Sequence, residues 1–195
     1  SSTDLQASWD DFADPLSGIQ YYEYGVGTSP GDTDTKAWTN VTLETSVSIT
    51  DLSLNHSQEY FISVRATDEV GNVGLYASSD GLTVDLVEPV VLEILETYSD
   101  LNEIDYMNQT DSLTLRWSGE DNLSGLEKYE VWFGNEDGTA VIDWTEIIEQ
   151  NELSLQALGL EHASHYVAKV KATDNAGNES VILSSDGVLV DLESP

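Results

Sequence analysis

The stretch that decides the fold is His162-Ala-Ser-His-Tyr-Val-Ala-Lys-Val-Lys-Ala-Thr-Asp-Asn-Ala-Gly-Asn178. Nearly the same pattern stands earlier, as His56-Ser-Gln-Glu-Tyr-Phe-Ile-Ser-Val-Arg-Ala-Thr-Asp-Glu-Val-Gly-Asn72. In both copies apolar and polar side chains alternate with a period of two, which is typical of a half-buried β-strand. A polar turn follows each strand, and Gly177 is expected to supply a positive φ there. The sequence therefore predicts a repeated strand-and-turn unit.

The similarity between the two copies extends along the whole chain of 195 residues. Leu113-Thr-Leu-Arg-Trp117 matches Leu5-Gln-Ala-Ser-Trp9, and Ser184-Ser-Asp-Gly187 matches Ser78-Ser-Asp-Gly81. Pro89 marks the predicted boundary between the copies. We therefore predict two domains, residues 1–88 and residues 89–195, each of an ordinary size for a small module.

Short strands separated by turn residues, without a convincing helical period, predict an all-β fold of two tandem β-sandwiches. The strand over residues 19–26 is expected to place Tyr22, Tyr24 and Val26 in the core. Residues 146–160 alone give a hint of helix. The alternation Leu153-Ser-Leu155 favours a strand there instead.

These motifs resemble those of fibronectin type III modules, especially the prokaryotic versions that occur in tandem on cell-surface and secreted proteins. The early tryptophans Trp9 and Trp117 and a tyrosine corner at Tyr60 and Tyr166 carry the resemblance. The resemblance implies that each corner tyrosine joins the core while its hydroxyl reaches back to the preceding turn. It implies a fold and an extracellular location more than an activity, because this fold hosts many roles.

The first domain departs from this pattern at its start. The second domain opens with a predicted strand at residues 90–95, but nothing equivalent precedes Leu5. Two interpretations stay open. Either a longer array of repeats has been divided at a unit border, or a neighbouring subunit donates the missing edge strand and so builds a fibre.

The charge of the chain limits its partners. It has 37 Asp and Glu against 6 Lys and Arg, a formal net charge of -31. A nucleic-acid partner is excluded, because phosphate binding needs clustered cations, and an anionic membrane surface would repel the chain. No membrane insertion is expected, since no apolar run is long enough. The acidic surface could serve solvation at high salt, attract cations, or supply calcium ligands.

Calcium is the one cofactor that the sequence suggests. The loop after the first tryptophan strand holds Asp10, Asp11 and Asp14, and the corresponding loop of the second domain holds Glu120 and Asp121. Dense carboxylates on a short loop suit a weak extracellular Ca²⁺ site, although a solvated acidic loop is the alternative. No catalytic motif is present, and His56, His162 and His165 are interpreted as turn or surface groups.

N-glycosylation is the second suggested modification of the surface. Five Asn-x-Ser/Thr sequons occur, at Asn40, Asn55, Asn108, Asn122 and Asn178. Most of them fall in predicted loops, where a sugar can be carried. Trp132 is predicted to lie on the outward face of its strand, as a contact for a sugar or partner or beneath a shielding loop. On that face Glu23 and Glu130 are expected opposite Arg65 and Lys169.

Together these features favour a non-enzymatic structural or adhesive segment of a larger extracellular protein, such as a spacer, surface layer or filament component. Calcium would stiffen it, and glycans would coat it. Its expected partners are neighbouring repeats or subunits of the same protein, surface glycans or other cell-surface proteins. The alternative is an accessory carbohydrate- or protein-binding module of a secreted polysaccharide-degrading enzyme.

Overall fold

The computed structural model describes residues 4–98 and 102–194, and the chain divides into two compact units, residues 1–86 and residues 87–195. Every regular element in the described residues is a β-strand. The predicted all-β class is therefore confirmed.

Unit 1 (residues 1–86) contains two sheets that enclose one core. Its strands are β1 (Leu5–Ser8), β2 (Ile19–Gly27), β3 (Lys36–Asn40), β4 (Ser46–Ile49), β5 (Glu59–Asp68), β6 (Ala77–Ser78) and β7 (Leu82–Thr83). β1 pairs with β4 in one sheet. The other sheet has the order β3-β2-β5-β6, with β7 also paired to β5, and its pairs are antiparallel.

Unit 2 (residues 87–195) repeats this plan with longer and additional strands. They are β8 (Val90–Thr97), β9 (Tyr106–Met107), β10 (Leu113–Glu120), β11 (Leu126–Asn135), β12 (Ala140–Ile148), β13 (Glu152–Leu155), β14 (His165–Asp174), β15 (Leu183–Ser184) and β16 (Val188–Val190). One sheet has the order β13-β10-β8, and the other the order β12-β11-β14-β16-β9. Within residues 146–160, the stretch with a hint of helix, β12 and β13 take up residues 146–148 and 152–155, so the strand interpretation at Leu153-Ser-Leu155 is right.

The alternation of the sequence places the core as predicted. Tyr22, Tyr24 and Val26 are buried on the inner face of β2. In each unit the early tryptophan packs against a tyrosine of the facing sheet at a steep angle, with ring centroids 6.2 Å apart for Trp9–Tyr22 and 5.7 Å apart for Trp117–Tyr129. Such edge-on contacts between the two sheets are a favourable aromatic arrangement.

The two units differ at one edge. In unit 2, β10 pairs with β13 on one side and with β8 on the other. In unit 1, β1 pairs with β4, and the described residues provide no counterpart of β8. A groove of about 340 Å³ lies between β1 and the strands β5 and β6, lined by Gln6, Ala7, Ser8, Trp9, Ile62, Val64, Ala77, Ser78 and Ser79.

The outward face of the larger sheets corrects one predicted pairing. Glu23 lies opposite Arg65 as expected, and the Arg65 Nε donates to the Glu23 carboxylate at 2.9 Å. Glu130, however, lies opposite Lys171 rather than Lys169, and these two form an ion pair at 2.7 Å. The prediction was wrong because Lys171, and not Lys169, is the repeat equivalent of Arg65 in β14.

Trp132 is the residue that faces Lys169. Its side chain is buried, and the Lys169 ammonium lies 4.3 Å from the centre of its ring. Trp132 is therefore shielded, as one of its two predictions had it, although the contact observed is with Lys169 on the paired strand rather than with the predicted loop.

Candidate functional site

The tyrosine corner is present in both units and fixes the turn before the central strand of the larger sheet. The Tyr60 hydroxyl accepts a hydrogen bond from the backbone N–H of Asn55 at 3.0 Å. The Tyr166 hydroxyl accepts one from the backbone N–H of Glu161 at the same distance. Both rings are buried, so the predicted role of these tyrosines is confirmed as a structural one.

The Thr-Asp-x-x-Gly-Asn signature at the end of this strand also has a structural explanation. One carboxylate oxygen of Asp174 accepts the backbone N–H groups of Ala176 and Asn178 at 2.9 and 2.8 Å. Asp68 does the same for Val70 and Asn72 in unit 1. Gly177 has a φ of 84°, as predicted, which lets the chain reverse beneath the carboxylate.

The residues predicted to bind calcium are partly engaged by their own loops. The Asp14 carboxylate accepts the backbone N–H of Leu16 at 2.8 Å, and the backbone hydrogen bonds from residues 16 and 17, with that of the Ser17 hydroxyl, lower its pKa. Asp121 accepts the backbone N–H groups of Leu123 and Gly125 at 3.0 and 2.7 Å. These carboxylates thus close the turn that leads into β2 or β11.

The remaining predicted ligands lie on the surface of the same loops. Asp10, Asp11 and Glu120 are exposed, and Asp11 accepts the Tyr22 hydroxyl at 3.3 Å. Within residues 4–98 and 102–194, no group of three close carboxylates contains Asp10, Asp11, Asp14 or Glu120. Calcium binding at these loops stays a prediction.

The five sequon asparagines have different surroundings. Asn40, Asn55, Asn108 and Asn122 are exposed. Asn178 is half-buried, and its side-chain amide donates to the Asp174 carboxylate at 2.8 Å. A glycan at Asn178 would therefore compete with a contact that holds the turn.

Two of the three histidines accept backbone hydrogen bonds at the ends of their units. His56 Nδ1 accepts the N–H of Leu86 at 3.2 Å, and His162 Nδ1 accepts that of Leu192 at 3.1 Å. His165 Nδ1 lies 2.8 Å from a carboxylate oxygen of Glu136. This arrangement fits the interpretation of the histidines as turn and surface groups.

One polar site that was not predicted from the sequence lies in unit 2, near the end of β8. We call it the Glu96 cluster: Glu96, Glu103 and Asp186, whose carboxylates each offer one oxygen no more than 4.8 Å from those of the other two. Glu96 is fully buried, whereas Glu103 and Asp186 are exposed. The cluster therefore links a buried carboxylate to the surface.

The two oxygens of Glu96 have different environments. Oε1 accepts a hydrogen bond from the Ser185 hydroxyl, while Oε2 is buried and has no hydrogen-bond partner within residues 4–98 and 102–194. Burial raises the pKa of Glu96 to about 7, with a further contribution from the negative charge of Glu103. Burial also raises the pKa of Glu103, as do the charges of Asp186, Asp105 and Glu93.

Sequence reasoning missed this cluster for a physical reason. The register between β8 and β10 shifts at Ser118 and Gly119, so burial along β8 does not follow strict alternation. Glu96 thus turns inward at a position that follows the predicted end of the strand. Asp186 comes from a segment some 90 residues away, and no local pattern could have indicated that contact.

In the part of the chain that the structure describes, no helix is long and apolar enough to cross a membrane.

The sequence matches no protein-family profile. It is 30% identical over 190 residues to Exoglucanase B of Cellulomonas fimi, an alignment that covers 92% of this chain and 15% of that enzyme. The chain therefore corresponds in length to a small part of that relative.

Two solved structures are similar to the chain over nearly its whole length. The FN1–FN3 domains of chicken CNTN1 align with a TM-score of 0.49 and 16% identity, covering 97% of this chain and 64% of that one. A segment of two fibronectin type III domains from chicken tenascin aligns with a TM-score of 0.38 and 17% identity, covering 95% and 91%. The strand pairing and tyrosine corners define the fold of this chain as two fibronectin type III-like β-sandwiches.

Proposed function

We propose that the chain is a non-catalytic structural segment, a spacer of two rigid modules within a larger extracellular protein. The observation that carries this proposal is that the polar side chains of the repeated signatures form hydrogen bonds with the backbone of the same module. Four side chains of these signatures accept hydrogen bonds from backbone N–H groups and so hold turns in place: Tyr60, Tyr166, Asp68 and Asp174. The features that identify each module thus stabilise its backbone turns.

The acidic surface supports a role as a solvated spacer. A net charge of -31 keeps copies of the chain apart and opposes non-specific association.

The exposed asparagines at positions 40, 55, 108 and 122 would add a glycan coat in an organism that glycosylates them. Intact mass of the protein from its natural source tests this point. A mass equal to that of the bare polypeptide would show that the chain carries no glycans and would contradict this part of the proposal.

The second candidate is an accessory module of a polysaccharide-degrading enzyme. The similarity to Exoglucanase B favours it, because that relative's name denotes a glucan-cleaving enzyme and the chain matches a small part of it. Aromatic side chains of unit 2 that could stack on sugars include Trp144 on β12 and Tyr106 on β9. These strands are the two ends of one sheet, so the two rings do not form a continuous platform.

One experiment separates these functions. The chain is incubated with a panel of soluble and insoluble polysaccharides, and both bound protein and released reducing sugar are measured. A spacer gives neither saturable binding nor sugar release. Saturable binding that Trp144→Ala or Tyr106→Ala abolishes would favour the accessory module, and sugar release above background would contradict a non-catalytic role.

A further inference from the structure

The Glu96 cluster has the arrangement of an incomplete coordination shell. Oxygens that bind one Ca²⁺ lie 2.3–2.6 Å from the ion, so two of them can be no farther apart than about 5 Å. The three oxygens of the cluster lie within 4.8 Å of one another. Their spacing is therefore close to that of oxygens that share one ion.

The unpartnered oxygen of Glu96 points to a ligand independently of the negative charge. A buried carboxylate oxygen without a partner is costly, and native structures nearly always provide one. Among the described residues, Oε2 of Glu96 has no hydrogen-bond partner, although Oε1 of the same group is hydrogen-bonded to Ser185. Glu103 and Asp186 bring more negative charge to this carboxyl group, rather than a donor.

The basic residues of the chain do not neutralise the cluster. Arg65, Lys128 and Lys171 pair with Glu23, Glu146 and Glu130. Arg116 pairs with Glu152, and Lys169 covers Trp132. Among the described residues, no ion pair includes Glu96, Glu103 or Asp186 with any Lys or Arg.

The segment of unit 1 that corresponds to Ser185 and Asp186 shows the structure of the module without the cluster. Ser79 is the counterpart of Ser185, and its hydroxyl accepts the backbone N–H of Ile62 as the Ser185 hydroxyl accepts that of Ala168. Asp80 is the counterpart of Asp186, but no group of three close carboxylates in the described residues contains it. The module can therefore form without this site, and the cluster is a feature added in unit 2 with β8.

We propose that a divalent cation of the calcium type binds in unit 2 between Glu96, Glu103 and Asp186, with the buried carboxylate of Glu96 as its anchor. The two exposed carboxylates and water would complete the shell, since Ca²⁺ accepts six to eight oxygen ligands in a flexible geometry. The ion would join the end of β8 to the segment after β15. This site is distinct from the calcium loops predicted from the sequence, and it does not depend on the proposed function.

The test is a calcium titration of the whole chain, followed by two-dimensional ¹H–¹⁵N NMR at pH 7.5 and constant ionic strength. We expect the amides of Glu96, Ile104 and Asp186 to shift together along one saturable curve, with Kd of about 10⁻⁴ to 10⁻³ M as in other extracellular modules. Glu103→Gln should raise the Kd for calcium obtained from this curve at least tenfold. Asp80→Asn removes the same charge from unit 1 and should leave it unchanged.

Three outcomes would overturn the proposal. The cluster amides could remain unmoved by calcium, which would leave a proton rather than a metal as the partner of Glu96. They could shift linearly without saturation, which would indicate diffuse counterion attraction only. They could also shift equally in Glu103→Gln and the parent protein. If Glu103→Gln proves misfolded, Asp186→Asn serves the same purpose, because both side chains are exposed.

Discussion

At Tyr60 and Tyr166, one side chain joins the core and holds the preceding turn at the same time. This dual role explains why the sequence could place both residues correctly. A tyrosine at the start of an alternating strand can bury its ring only in one direction, and the hydroxyl then meets the backbone of the turn.

Removing the hydroxyl should therefore destabilise unit 2 without changing its fold. For Tyr166→Phe we expect a loss of about 1–2 kcal/mol in the free energy of unfolding, because the part-buried N–H of Glu161 loses its acceptor. Urea denaturation followed by circular dichroism measures it. Tyr106→Phe is the matched control, since Tyr106 is 67% exposed in the same unit. Equal stability of the two variants would contradict the structural role.

Glu96 shows the limit of residue-level prediction. The repeat cannot indicate it, because unit 1 has no counterpart of the strand that carries it in its described residues. Glu130 shows a smaller limit, since its partner is Lys171 rather than the predicted Lys169. In an alternating strand both lysines face the same way, so only the register decides which of them meets the glutamate.

At the scale of elements, β8 is the main difference between the units. It pairs with β10 and also packs against β14 and β15, so it closes one side of the sandwich in unit 2. The corresponding side of unit 1 is the groove between β1 and the strands β5 and β6. The backbone groups on this edge of β1 have no strand partner in the described residues.

A strand supplied at this edge should stabilise unit 1. We expect a copy of residues 90–112, placed directly before Leu5, to raise the free energy of unfolding of unit 1 by about 2 kcal/mol or more. The added strand would bury side chains equivalent to Val91 and Ile94, which are buried in unit 2. Thermal and urea denaturation of unit 1 measure the change.

The control for this graft carries proline at the added position equivalent to Ile94. Proline removes a backbone donor and is poorly tolerated within a paired strand, so the stabilisation should be largely lost. If the proline version stabilises unit 1 as much as the original, the added segment does not occupy the groove as a strand.

At the scale of the whole molecule, charge dominates the physical behaviour of the chain. With 37 acidic and 6 basic residues, self-repulsion opposes the compact state at low ionic strength. Four of the basic residues are held in ion pairs with glutamates on the outward faces of the strands, which leaves most of the acidic charge uncompensated.

Salt should therefore stabilise the protein. Raising NaCl from 0.02 to 0.5 M shortens the screening length from roughly 20 Å to about 4 Å, so we expect the melting temperature to rise by several degrees. Choline chloride at the same ionic strength should have a similar effect, because screening does not depend on which cation provides it. A melting temperature that is independent of salt would show that the acidic charges are too well separated to repel each other.

The sequence by itself determined the two-module β-sandwich fold, the core faces and the tyrosine corners. Each of these depends on local alternation or on a repeat, and such properties can be read along the chain. The tertiary structure alone decided the shielding of Trp132, the pairing of Glu130 and the Glu96 cluster. These depend on strand register and on contacts between segments up to 90 residues apart, which only the folded chain brings together.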